Sequence, residues 1–184
     1  MLFTLPEIFD LVVMTAAVGY ILMDFTKHED PVMHYGFDWK AFRLSCLVAA
    51  PAVVFHELGH KFSALALGLK ATLHADYMWL LVGSAMKMLN TGMIFFVPGY
   101  VSISGAQSPL VSAATAFAGP AVNLVLWAGS RLAIKFLPSM KLSTLRLLAL
   151  TSKINGFLFV FNMLPIFYFD GYKVFDGIIG WLWP

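Results

Sequence analysis

Four apolar stretches divide the chain, and their length carries the first inference. They cover residues 8–25, 41–67, 110–136 and 143–183, the last continuously apolar after Lys153 and broken at 165–171 by Pro165 and Gly171. A helix needs about 20 mostly apolar residues to cross a bilayer, so each stretch is read as a span, the fourth as a broken one. Gly68 closes the second as a plausible C-cap. The loop between the first two spans, TKHEDPVMHYGFDWK, carries the largest cluster of charge.

Residues 69–108 do not read as a span. MIFFVPGYVSIS, Met93–Ser104, has the β-branched and aromatic content of strands, punctuated by Pro98-Gly99. YMWLLVGSAMKML is apolar but short and carries Lys87, which suits a membrane-dipping or interfacial helix. His74 and Asp76 fall in a polar patch that reads as a loop. The predicted fold class is an α-helical polytopic membrane protein. It has a core of three spans, an N-terminal span, a broken C-terminal helix, and a small strand-containing insertion between spans two and three. No repeat or linker separates a second domain, so residues 1–184 are expected to form one membrane-embedded unit.

Composition strengthens this reading. Of 184 residues, 60% are hydrophobic and 12% charged, against about 45–50% and about 25% in soluble domains. A soluble fold of this size could not hide so much apolar surface. The expected location is therefore a multi-pass integral position in the cell membrane, with the lipid bilayer as a partner. A formal net charge of +2, with no Lys/Arg cluster interleaved with aromatics, argues against nucleic acid. Cys46 has no second cysteine to pair with and gives no compartment. The first apolar run follows Glu7 and Asp10, lacks a small-residue cleavage site, and reads as a retained span, not a signal peptide.

The second span contains VVFHELGHKF, three ionisable groups within an apolar run. On a helix His56 and His60 share one face, one turn apart. Their imidazoles can converge on one Zn²⁺, while Glu57 lies about 100° round the helix and reaches a water on the metal without being a ligand. This is the H-E-x-x-H arrangement of zinc peptidases, in which the glutamate takes the proton of a metal-acidified water. Charged groups at mid-bilayer cost about 2.5–3.5 kcal/mol each on insertion scales, so they rarely persist without a function. A catalytic zinc needs a third protein ligand. Downstream of His60 the candidates are His74, Asp76, Asp170 and Asp176. Asp176 could cap a helix or face solvent. Asp170 ends a long apolar run, where an unpaired carboxylate is costly, and it is the preferred choice. Spans two and four run in the same direction if residues 69–108 make no net crossing, which brings both ligand sets toward one membrane face.

At these residues the chain resembles the site-2 protease family of intramembrane zinc metalloproteases. HELGHKFSALALG fits the family's H-E-x-x-H helix, with Ala64 and Gly68 at later turns. AGPAVN resembles the G-P-x-x-N helix and places Asn123. NMLPIFYFDG fits N-x-x-P followed by D-G, with Asn162, Pro165, Asp170 and Gly171 in place. The resemblance implies one zinc ion held by His56, His60 and Asp170, with Glu57 as general base. It also implies that Asn123 and Asn162 bind the substrate backbone or steady the transition state. The expected substrate is a transmembrane segment of a membrane protein, unwound so that its amides are accessible. Pro165 and Gly171 would loosen the helix so that Asp170 can turn inward, and GYVSIS could offer a strand edge to extended substrate. IFYF between Pro165 and Asp170 is bulkier than the family's usual Pro-containing version, and no PDZ-like insertion follows the histidines.

Two other readings stay open. Intramembrane His and Asp also mark the pathways of metal-ion transporters, although no repeated halves are visible here. A proteolytically inactive homologue that binds membrane partners is the other. On orientation two signals point opposite ways. Lys27, Lys40 and Arg43 flank the first loop, and Arg131, Lys135, Lys141, Arg146 and Lys153 flank the third, which the positive-inside rule assigns to the cytoplasm. The resemblance implies instead that the catalytic side, with Lys61, Lys70 and Lys87, opens toward the cytoplasm.

Overall fold

The computed structural model describes residues 2–26, 37–91, 97–105, 107–137 and 139–183. Among them the chain is mostly helical, with a two-stranded antiparallel sheet between helices. The helices are α1 (Leu5–Ile21), α2 (Trp39–Ala66), α3 (Tyr77–Met88), α4 (Pro109–Phe136), α5 (Leu142–Asn162) and α6 (Asp170–Leu182). The strands are β1 (Lys70–Ala75) and β2 (Gly99–Ser104). Three helices, α2, α4 and α5, are long and apolar enough to cross a membrane. Large apolar side chains such as Leu47, Val125 and Phe157 point outward. That suits a lipid surround, where the hydrocarbon, not water, is the solvent.

Contacts divide the chain into two compact units, Met1–Val54 with His74–Tyr100, and Phe55–Leu73 with Val101–Pro184. In the first, α1 begins at a capping box. Glu7 N–H donates to Thr4 Oγ1 at 3.4 Å while Glu7 Oε2 accepts from Thr4 N–H at 2.9 Å. The box satisfies two otherwise orphan donors and gives the buried Glu7 its partners. Met14, Val18 and Ile21 form the buried face of α1, at the three- and four-residue spacing of one helix side. α3 has 12 residues, about 18 Å of helix, too short to cross. It packs on α1, with Tyr77 donating to Asp10 and Lys87 paired with Asp24. Lys87, an odd residue in a short apolar run, is thus an ion-pair partner and also lies 5.6 Å from the centre of the Tyr20 ring. Thr26 Oγ1 donates to the Ala41 carbonyl at 2.8 Å, fastening the single 3₁₀ turn Met23–Thr26 to the first half of α2.

Two local readings change. KATLHA, read as part of a polar loop, is β1: Leu73 and Ala75 alternate inward along it, the period-2 pattern of a half-buried strand. Asp76 then ends the strand and caps α3, accepting from Trp79 N–H at 3.1 Å, so its carboxylate is engaged locally. The strand expected over Met93–Ser104 is found at Gly99–Ser104; residues 93–96 lie outside the described set.

In the second unit α4 is the central element, packing against both α5 and α6. Ser108 caps α4, its Oγ accepting from Val111 N–H at 3.3 Å, with Pro109 in the first turn. α2 ends in a Schellman motif. Leu69 N–H donates to the Ala64 carbonyl at 3.0 Å and Gly68 N–H to the Leu65 carbonyl at 3.1 Å, the 6→1 and 5→2 pair of that motif. Gly68 has φ +77° and open space around its Cα. Only its backbone conformation therefore demands glycine. Gly68→Ala should destabilise the protein by about 1 kcal/mol and Gly68→Asn by less, as read from thermal unfolding in detergent.

Candidate metal centre

His56 and His60 lie on α2, one turn apart, and their Nε2 atoms are 3.1 Å from each other. What aims them is on α4. His60 Nδ1–H donates to the Thr115 carbonyl at 2.8 Å. His56 Nδ1–H donates to Asn123 Oδ1 at 2.7 Å. The Asn123 amide is oriented in turn: its Nδ2 donates to Asn155 Oδ1 at 2.9 Å, and Asn155 Nδ2 donates to the Thr151 carbonyl at 2.8 Å. A backbone carbonyl can only accept. The Thr151 carbonyl therefore fixes Asn155, Asn155 fixes Asn123, and Asn123 fixes His56. Both imidazoles carry their proton on Nδ1 and present a lone pair at Nε2.

Asp170 supplies the third atom. Its Oδ2 lies 3.0 Å from His56 Nε2 and 3.3 Å from His60 Nε2. It is the first residue of α6, and the seven residues before it explain how it arrives. Pro165 disfavours helix at Leu164, and α5 stops at Asn162. The chain then turns through Ile166 N–H to the Leu164 carbonyl and Phe169 N–H to the Ile166 carbonyl, both at 2.8 Å. α6 starts against the end of α5, where a Cβ on Gly171 would overlap the Met163 carbonyl. The aromatic residues between Pro165 and Asp170 do not prevent the bend: Phe169 packs edge-on against Phe161 of α5, centroids 4.6 Å apart.

Three acceptor atoms therefore face one another at close range. That arrangement is repulsive unless a proton or a metal ion sits among them. Among the described residues, His56, His60 and Asp170 are the group able to hold a metal ion, their ligand atoms all within 4.8 Å of one another. Ligands at about 2.0–2.1 Å in a tetrahedron sit about 3.3–3.4 Å apart, so the observed separations fit zinc with small adjustment. Two imidazoles and one carboxylate also make a donor set that zinc favours.

Glu57 is outside that trio but close to it. It is buried and within electrostatic range of His56, His60, Asp170 and Lys173. Asn123 is fully buried, with both ends of its amide engaged by His56 and Asn155. Asn162 is the final residue of α5 and half-buried. His74 packs against Tyr100 with the rings tilted by 32°, centroids 5.3 Å apart. Asp176 is exposed on α6.

Three contributors escape a reading of motifs. Asn155 is a single polar residue in an apolar run. The Thr115 carbonyl is backbone, which no side-chain pattern encodes. Lys173 follows Asp170 by one helical turn. Gly119, the glycine of AGPAVN, adds a steric role: a Cβ there would overlap the His60 ring and come 2.9 Å from His56 Cε1. Gly59 works alike between the histidines, since a Cβ there would stand 2.7 Å from the Ala118 carbonyl oxygen. Small residues at both positions let α4 approach the histidine face.

Replacing the amide that orients His56 should weaken metal binding without removing a ligand. Asn123→Ala should lower zinc affinity about 10–100-fold, and Gly119→Ala should lower it at least as far, by displacing both rings. Competition titration against a zinc chelator measures both.

The chain is 31% identical over 174 residues to a Methanocaldococcus jannaschii protein named "Putative zinc metalloprotease", covering 94% of this chain and 84% of that protein. It is 29% identical over 150 residues to a Synechocystis protein of the same descriptive name, covering 81% of this chain but 35% of that longer relative. No family-level sequence profile matches, and no solved structure matches. At that identity and coverage, with two imidazoles and a carboxylate gathered at one point, the chain belongs to the zinc metalloprotease family of the Methanocaldococcus jannaschii protein.

Proposed function

We propose that this metalloprotease is of the site-2 protease kind and cleaves transmembrane segments of membrane proteins at a site within the lipid layer. The observation that carries the reading is the convergence of His56, His60 and Asp170, the two histidines on a helix of membrane-spanning character and Asp170 on the short α6. α2, which bears the two histidines, and α4, which orients them, are each 28 residues long and apolar. The enzyme then sits in the bilayer as a multi-pass protein, in the cell membrane, as one catalytic domain.

His56, His60 and Asp170 hold one zinc ion, which supplies Lewis acidity and makes a water acidic enough to deprotonate near neutral pH. Glu57 is the proton carrier: its carboxylate accepts the proton of the attacking water and passes it to the leaving amine. Its position next to His56, outside the ligand trio, suits that role. The exclusion of bulk water strengthens each charge interaction in the site. Asn123 acts through His56, whose Nδ1–H it accepts. Asn162, next to the turn that delivers Asp170, is left as the amide that meets the substrate backbone. A peptide unit unwound from a helix needs both a donor and an acceptor.

The rival is a metal-ion transporter built on the same ligands. Glu57→Gln separates the two, because it keeps the shape and the metal ligands but removes the base. Purified Glu57→Gln protein should retain zinc by elemental analysis and lose cleavage of a transmembrane substrate by about 10²–10⁴-fold. Full cleavage by this variant would sink the assignment of Glu57. Zinc flux into vesicles, undiminished in the variant and with no proteolysis by either form, would favour the transporter.

A further inference from the structure

The α4–α5 hairpin has a second polar feature, and it shares no residue with the metal centre. A groove of about 770 Å³ opens between the two helices, lined by Trp127, Arg131 and Lys135 of α4 and by Ser152, Lys153 and Phe157 of α5, among others. All three cations are exposed. Among the described residues no carboxylate lines the groove, and neither α4 nor α5 contains an Asp or Glu; none occurs anywhere in residues 77–169. Lys135 lies 5.3 Å from the Phe136 ring centre, a contact that leaves its charge uncompensated.

Depth makes this arrangement informative. Measured from the turn joining the helices, Arg131 lies about 8 Å along α4 and Lys153 about 16 Å along α5. With Lys135 they form a ladder from the membrane boundary toward its middle. The lysine stem lets its ammonium reach back toward the boundary, and so toward the level of Arg131. Cations at such depth are costly unless an anion meets them. Among the described residues none supplies an anion to the groove, whereas a lipid can. The flanking Trp127 and Phe157 offer apolar surface for an acyl chain, and the Ser152 hydroxyl offers a further donor.

We propose that this groove binds an anionic phospholipid, its phosphate held by Arg131, Lys135 and Lys153 and an acyl chain laid against Trp127 and Phe157. Basic pockets between membrane helices recognise lipid headgroups in this way. The arrangement makes the hairpin a lipid-anchored element, independent of what the metal centre does.

The test uses full-length protein in bilayer discs of phosphatidylglycerol and phosphatidylcholine in equal amounts, with bound lipid read by native mass spectrometry. Wild type should retain phosphatidylglycerol in excess of its bulk share. That excess should fall roughly fivefold for each cation removed, in Arg131→Gln and Lys153→Leu. It should persist in the charge-preserving pair Arg131→Lys and Lys153→Arg. Phosphatidylglycerol should also raise the thermal midpoint of the wild type where phosphatidylcholine and inorganic phosphate do not. Lipid bound in bulk proportion, an unchanged excess in the neutral variants, or the same midpoint shift from inorganic phosphate would each overturn the proposal. If the neutral variants do not fold, a photoreactive phosphatidylglycerol on wild type decides the matter. Labelling of groove peptides supports it, and labelling confined to other helices rejects it.

Discussion

The convergence of three ligand atoms on one point governs the second unit. Two imidazole lone pairs and a carboxylate oxygen are held 3.0–3.3 Å apart, and nothing about an isolated helix would keep them there. The restraint comes from outside α2. The Thr115 carbonyl holds one ring, and the chain of amides from Asn123 through Asn155 to the Thr151 carbonyl holds the other. In an apolar surround each of these bonds is hard to break, because a freed donor finds no water. Folding thus holds three ligand atoms around a point able to take a metal ion.

Close approach is the second requirement, and it falls on glycine. A methyl group at Gly119 would occupy the space of the imidazoles, and one at Gly171 would lift the first turn of α6 off the end of α5. Asp170 is the residue before Gly171, so the second displacement would carry the carboxylate with it. The sequences AGPAVN and FDG can therefore be read sterically. In each, the glycine makes room and a polar neighbour uses the room. Pro120, inside α4, also lacks the N–H that would bond the Ala116 carbonyl, a local weakness that packing against neighbours must offset.

Much of the architecture is legible in the sequence because length and apolar content decide it. α4, at Pro109–Phe136, falls on an apolar run that starts at residue 110, and α2, at Trp39–Ala66, on one that starts at residue 41. The i, i+4 histidines are legible because helix geometry alone stacks them. Asp170 stands out because a carboxylate is out of place in so apolar a run. The break between the last two helices comes at 163–169, not 165–171, because Pro165 acts on the residue before it. β1 is obscured by its charged and polar residues, which hide a short inward alternation. Asn155 and the Thr115 carbonyl are invisible for a deeper reason: their roles depend on which helix faces which, and a linear pattern does not carry that.

Asp170 sits on a different helix from the two histidines, and synthesis adds a consequence. α2 leaves the ribosome well before the turn that begins α6, so a growing chain first presents the two imidazoles without the carboxylate of Asp170. The three-atom cluster is therefore complete only once the N-terminal turn of α6 has been made and has docked.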